Sequence, residues 1–324
     1  MISKQTILKS IIAVVTVIIL VYLLKYPINY PAKNPVRTVK EIPSEDRVKA
    51  KPLRYFFSIK VRYQGPQAIA FRQGKLVVAY KGMNIIDIYS PDGEYEGSFS
   101  AAPGIRVNPV AVSNDRSGGL YLCDMANRVV LFFDKENKFH YPFPPRKITP
   151  SGIDFIHAPG DVFVNKANVF VIDVGDSSVK VFTEAGEFLM FIRDWGKTGE
   201  KFLHPSAVMQ CTDGRILVAD TLRKKVAVFN CAGKFAYFFD DPKGETLEQP
   251  EAMTIDSGGN IHVLDTVKEK VFVYDNYGRY LFAYGSSGSR AYQMRMPVDI
   301  VADPNGKHIF IADTKNQQID VWSY

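Results

Sequence analysis

Cysteine, tryptophan and histidine are scarce: three, two and five of 324 residues. Three cysteines cannot form the disulfide framework that replaces a core in small secreted domains, so packing must hold this chain. The histidines, at positions 140, 157, 204, 262 and 308, share no local spacing that would gather three around a zinc ion. No Gly-x-Ser-x-Gly nucleophile elbow and no phosphate-binding glycine loop occurs. Charge of one sign is missing from most of the chain too. Residues 1–52 hold nine Lys/Arg against three Asp/Glu, which accounts for the net charge of +6, whereas residues 53–324 hold 31 of each. The basic balance belongs to the N-terminal tail, and the remainder has no electrostatic footprint for DNA or RNA. A nucleic-acid partner is therefore not expected.

Long apolar runs are also rare, with one exception. After a short N-terminal tail (1–6), Ile7 to Leu24 is interrupted only by Lys9, Ser10 and Thr16. With Lys9 snorkelling and Tyr22 and Tyr26 at the far end, residues 7–25 are predicted to form a single transmembrane helix or signal anchor. The alternative is a cleaved signal peptide, but the run ends in Leu23-Leu24-Lys25-Tyr26-Pro27, without the small residues of a cleavage site. Lysines lie on both sides of the segment, so the positive-inside count does not orient it. A short N-tail that stays in the cytosol favours an extracytoplasmic domain on the cytoplasmic (inner) membrane. Residues 26–52 carry five prolines and mixed charge and read as an extended basic linker. At about 3.1 Å per residue it spans up to ~80 Å.

From residue 53 the chain repeats itself. Six segments open on Pro66, Pro109, Pro159, Pro205, Pro250 and Pro297, and each runs through two alternating hairpins with Gly-containing tips such as Asp92-Gly93 and Asp213-Gly214. Period-two alternation marks half-buried strands, and four strands per ~45 residues mark a propeller blade. The sixth unit ends at Tyr324 after its third strand, while LRYFFSIK (53–60) stands alone before the first. The predicted fold is thus all-β: a six-bladed β-propeller of four-stranded antiparallel blades over 53–324, preceded by one N-terminal transmembrane helix. Strand 53–60 is expected to close the ring and remove a weak seam.

The segments LVADTLRKKVAVF (217–229), LDTVKEKVFVY (264–274) and IADTKNQQIDVW (311–322), with the link WGKTGEKFLHP (195–205), resemble the NHL-repeat family of β-propellers. The first unit departs, with Tyr80 where the others have Asp124, Asp173, Asp220, Asp265 and Asp313. Those five aspartates follow the second strand of each unit and are expected to hold its turn by accepting backbone N–H bonds. Amidating lyases, which are similar propellers, place zinc-binding histidines just after several opening prolines. Here those positions are Gln67, Val110, Gly160, Ser206, Glu251 and Val298, and none is histidine.

Function should lie where the units differ. Asp161, Glu251 and Asp299 follow opening prolines and are candidates to hold a hard cation, Ca²⁺ for instance, through oxygens at the channel mouth. That would fit a metal-dependent hydrolase or lyase. Two longer connections, 144–157 and 285–296, break the repeat, and Tyr292, Met294, Arg295 and Met296 of the second are candidate contact residues. Cys211 and Cys231 lie at turns of one unit and are expected to pair as a disulfide; Cys123 is expected to be a buried thiol. With no catalytic constellation in view, the leading expectation is a membrane-tethered extracytoplasmic propeller that binds a protein or a carbohydrate.

Overall fold

Five repeats each form one four-stranded antiparallel sheet with strands paired in chain order from the channel outward, and the sixth supplies three strands of such a sheet. The computed structural model describes residues 52–324 except 103, 105, 146–155, 166, 196–198, 243 and 307. The predicted tail (1–6), spanning segment (7–25) and linker up to residue 51 lie outside the described residues. Among the described residues no helix is long and apolar enough to cross a membrane.

The burial pattern follows from blade stacking. Second strands such as Leu120–Asp124 and Ile216–Asp220 are buried at every position, because both of their faces are covered. Outer strands such as Phe188–Ile192 alternate between exposed and partly buried residues, because one face meets solvent. Six apolar clusters alternate with the blades, and each is built from two neighbours. Phe170, Ile172 and Val181 of the third blade, for example, meet Val208, Val218 and Phe229 of the fourth. Ile59, Phe310 and Ile319 of the sixth blade meet Ile69, Val78 and Tyr80 of the first, so the ring of clusters is continuous.

The sixth blade consists of Pro297–Ala302, His308–Asp313 and Gln318–Ser323, completed by Arg54–Lys60 as its fourth strand. Arg54 pairs with Ser323 and Lys60 with Gln318, so the two ends of the repeat region are joined by a ladder. Side chains reinforce it: the Ser58 hydroxyl donates to Asp320 Oδ1 at 2.7 Å, and Trp322 packs edge-on to Tyr55 at 5.9 Å. Arg54 enters beside Ser323, on the face that carries the hairpin tips. The opening prolines and the loops after the second strands form the opposite face, called here the loop face.

The turn aspartates staple each blade to the link that precedes it. Asp220 accepts the Leu203 and His204 amides at 2.9 and 3.0 Å, and Asp265 accepts those of Glu248 and Gln249 at 2.6 and 3.1 Å. Asp124, Asp173 and Asp313 accept link amides in the same way, and all five are buried. Four residues further on the backbone is left-handed in five blades, at Arg128, Ser177, Lys224, Glu269 and Gln317. A threonine after the aspartate ties neighbouring blades together. Thr221, Thr266 and Thr314 donate to the carbonyls of Pro250, Pro297 and Pro66 at 2.9, 2.7 and 2.7 Å. In the first three blades Lys81, Met125 and Val174 stand in its place. Thr266→Val should therefore lower the denaturation midpoint by an amount equivalent to about 1 kcal/mol, the worth of one buried hydrogen bond. Chemical denaturation followed by tryptophan fluorescence measures it.

Candidate functional site

A β-bulge opens every blade. The register between first and second strand slips just after each opening proline, between Pro66 and Ala68 and likewise at Pro109, Pro159, Pro205, Pro250 and Pro297. A bulge leaves its extra residue out of the ladder and re-aims its side chain. The six residues so released are Gln67, Val110, Gly160, Ser206, Glu251 and Val298, and all six line a central cavity of about 210 Å³. Asp161 and Asp299, one position on, line it as well, so the three acids singled out in the sequence share one cavity. Met125, Val174 and Met253 supply apolar wall, and His204 lines the cavity as well.

Two of the three acids hold backbone amides. Asp161 accepts the Val162 amide on Oδ1 and the Val208 amide of the next blade on Oδ2, both at 2.8 Å. Asp299 repeats this half a ring away, accepting Ile300 at 2.8 Å and Ile69 of the first blade at 2.7 Å. These two carboxyls thus act as inter-blade staples. Glu251 accepts a bond from Gln249 at 3.2 Å. Burial raises the pKa of all three, and like-charge repulsion adds to this at Asp161 and Asp299, against the pull of the amides. Asp161 is pushed up to about 6 and Asp299 to about 8. Burial also raises Glu251, against the Gln249 hydrogen bond. The three acids are not among the groups of described residues whose ligand atoms all lie within 4.8 Å of one another. Among the described residues a ligand-like cluster does occur elsewhere, at His157, Asp173 and Asp176. There the chain supplies its own cation. The fully buried Lys180 ammonium lies 2.5 Å from Asp173, 3.2 Å from Asp176 and 3.4 Å from His157 Nδ1.

The 285–296 connection divides its predicted contact residues. Tyr292 and Met296 are exposed and both have left-handed backbone, with φ of 64° and 46°. Met294 is instead fully buried in the cluster between the fifth and sixth blades, a correction to its expected contact role. It follows from the short parallel pairing of Ser286–Ser287 with Gln293–Met294, which turns Met294 inward. The Arg295 amide bonds to Asp313. Met296 lines a groove of about 410 Å³ between the sixth and first blades, together with Gln64, Gln67, Lys81, Lys315 and Gln317. Gln67 and Val298 line both the groove and the central cavity.

Sequence reasoning missed His204, Lys81 and Lys315. The available signal was position, since Lys81 and Lys315 stand one and two residues beyond the turn position of their blades. Cys211 and Cys231 are free thiols in this structure, so the expected bridge is not formed. Cys231 lies over Gly214 at the neighbouring hairpin tip, where a Cβ would come within 3.5 Å of its own. Cys123 is buried, and burial pushes its pKa above the usual thiol range.

No family model matches the sequence. The protein brain tumor of Drosophila melanogaster is 26% identical over 153 residues, which cover 45% of this chain and 13% of that protein. Virginiamycin B lyase of Staphylococcus aureus superposes with a TM-score of 0.63 over 84% of this chain and 100% of its own, at 13% identity. Hydrazine synthase of Kuenenia stuttgartiensis does so at 0.56 over 82% and 97%, at 12% identity. At such identities the likeness is one of fold. The chain is a six-bladed β-propeller. That fold carries catalysts and binders alike, so the site has to decide.

Proposed function

We propose that this chain is an NHL-type binding propeller, tethered by residues 7–25 to the cytoplasmic membrane with its domain outside, and that the loop face takes a protein partner. One observation carries the reading. Leu203, Leu222, Val267, Tyr292 and Met296, between 50% and 64% exposed, all sit on loop-face segments of the fourth to sixth blades. Scattered apolar residues need no explanation, but a set gathered on the face that holds the groove is what an interface core supplies. The tether fits this arrangement. A tether would join the ring at Arg54, which lies on the hairpin-tip face.

The test is capture from membranes. Full-length chain carrying a photo-crosslinking residue at Leu222 should capture a discrete partner, and the same residue at Lys135, on the hairpin-tip face, should not. Leu222→Asp with Val267→Asp should reduce co-purification of that partner at least roughly tenfold without changing the melting temperature. Equal capture from both faces would refute the reading.

A further inference from the structure

The groove between the sixth and first blades carries two lysines, Lys81 and Lys315. Lysines of the fourth and fifth blades are neutralised at short range: Lys224 by Glu248, Lys225 by Asp241 at 2.5 Å, and Lys270 by Glu245 at 3.2 Å. Lys81 and Lys315 are exposed and line the groove, and among the described residues no carboxylate lies within ion-pair distance of either. The nearby carboxylates have other work. Glu269 accepts the Met296 amide at 2.9 Å, and Asp299 is partly buried and bonded to two amides.

The same two residues depart from the repeat. Lys81 occupies the position where three blades have the inter-blade threonine. Lys315 stands where the fourth and fifth blades expose Leu222 and Val267. The remaining polar lining is Gln64, Gln67 and Gln317, whose amides donate as well as accept. Met296 and Val298 supply an apolar strip between the charges. Met296 holds a φ of 46°, which is unfavourable for a side chain of its kind and is sustained by the Glu269 bond.

Resting on the protein-binding reading above, we propose that this groove seats an acidic segment of the partner protein, with carboxylates on Lys81 and Lys315 and an apolar side chain on Met296. Two uncompensated ammonium groups beside amide donors and an apolar strip complement a carboxylate-bearing peptide, and repel a basic one.

Immobilised full-length chain in neutral detergent is exposed to three pools of acetylated hexapeptides, randomised at the outer positions and carrying two central Glu, Gln or Lys residues. The Glu pool should be retained at least roughly tenfold over the Gln pool, with the Lys pool lowest. Lys81→Glu with Lys315→Glu should abolish that preference, and the milder Lys81→Gln with Lys315→Gln should reduce it. Lys135→Glu with Lys138→Glu, on the hairpin-tip face, should leave it intact. Equal retention of the Glu and Gln pools, lost in the Leu222→Asp, Val267→Asp variant, would overturn the charge assignment while leaving the binding face standing. No retention of any pool, together with failed crosslinking at Leu222, would overturn both. Displacement of the Glu pool by a uridine oligonucleotide at lower concentration than by free Glu peptide would assign the groove to nucleic acid and overturn the inference.

Discussion

Raising the pH from about 5 to about 9 should destabilise this propeller, and Asp320→Asn should recover part of the loss. The cause lies at the closing seam. Asp313 and Asp320 are both fully buried in the sixth blade and lie diagonally across its second and third strands, Asp313 opposite Gln318 and Asp320 opposite Ile311. Asp320 Oδ1 is served by Ser58 and Gln318, but its Oδ2 is buried without a partner. Burial, and then the repulsion between the two groups, push Asp313 up to about 7 against the pull of the Arg295 amide. Asp320 is raised as well, chiefly by burial.

The sign follows from proton counting. In this window an unfolded aspartate has lost its proton while the folded pair keeps one. Stability is therefore fully present at low pH and is lost as pH rises through the folded value near 7. Asp161 and Asp299, raised to about 6 and about 8, add to the same trend. A rise of the size seen at Asp313 corresponds to about 4 kcal/mol between protonation states. An amide at position 320 removes only the like-charge share, so a gain of about 1–2 kcal/mol near pH 8.5 is expected. Thermal melts at several pH values read it directly. A melting temperature that climbs between pH 6 and pH 9, or an Asp320→Asn variant with unchanged slope, would contradict the shared proton.

The architecture was legible because it is repeated. Six opening prolines, six alternating hairpin pairs and a strand left over at 53–60 leave few other ways to bury the apolar faces, and the strand pairs as that count requires. The site was legible only by position. The place after each opening proline identifies Glu251 as cavity-facing, and the next place identifies Asp161 and Asp299. No spacing says that the oxygens of Asp161 and Asp299 are already committed to amides of the neighbouring blade. Such partners come from roughly 45 and 230 residues away in sequence, at Val208 and Ile69, and depend on how blades stack rather than on any local motif. Met294 shows the same limit, since a polar loop composition hides a two-residue pairing that buries it. One signal was present and easily passed over. At the middle of the third strands the pattern places Asp87, Leu131, Lys180, Ala227, Phe272 and Asp320, a position inside the apolar alternation where three blades carry a charge.

Lys180 makes the largest prediction from that position. Its ammonium is fully buried, 2.5 Å from Asp173, whose carboxyl is itself fully buried. Burial alone would raise Asp173, but the Lys180 ammonium and the His157 and Ala158 amides more than offset it, and the carboxyl is held below its usual range. Lys180→Ala leaves that carboxylate buried without its counter-charge, a change that costs about 3–5 kcal/mol. Asp176 does not replace the lysine, because it is an acid too and is engaged by Arg193 at 3.2 Å. Two measurements separate loss of charge from loss of packing. Lys180→Met, which refills the volume, should still cost most of the stability, and adding Asp173→Asn to it should restore the greater part, since a buried ion pair contributes little beyond an apolar replacement while half of one is costly. The pH profile should change as well. In wild type the third blade has a depressed carboxyl, so its contribution is kept above the ordinary aspartate range and lost only in acid. In Lys180→Met the same carboxyl should rise as Asp313 does, and the variant should lose further stability between about pH 5 and about pH 8. An additive double variant, no better than the sum of its parts, would mean that Lys180 acts by packing alone.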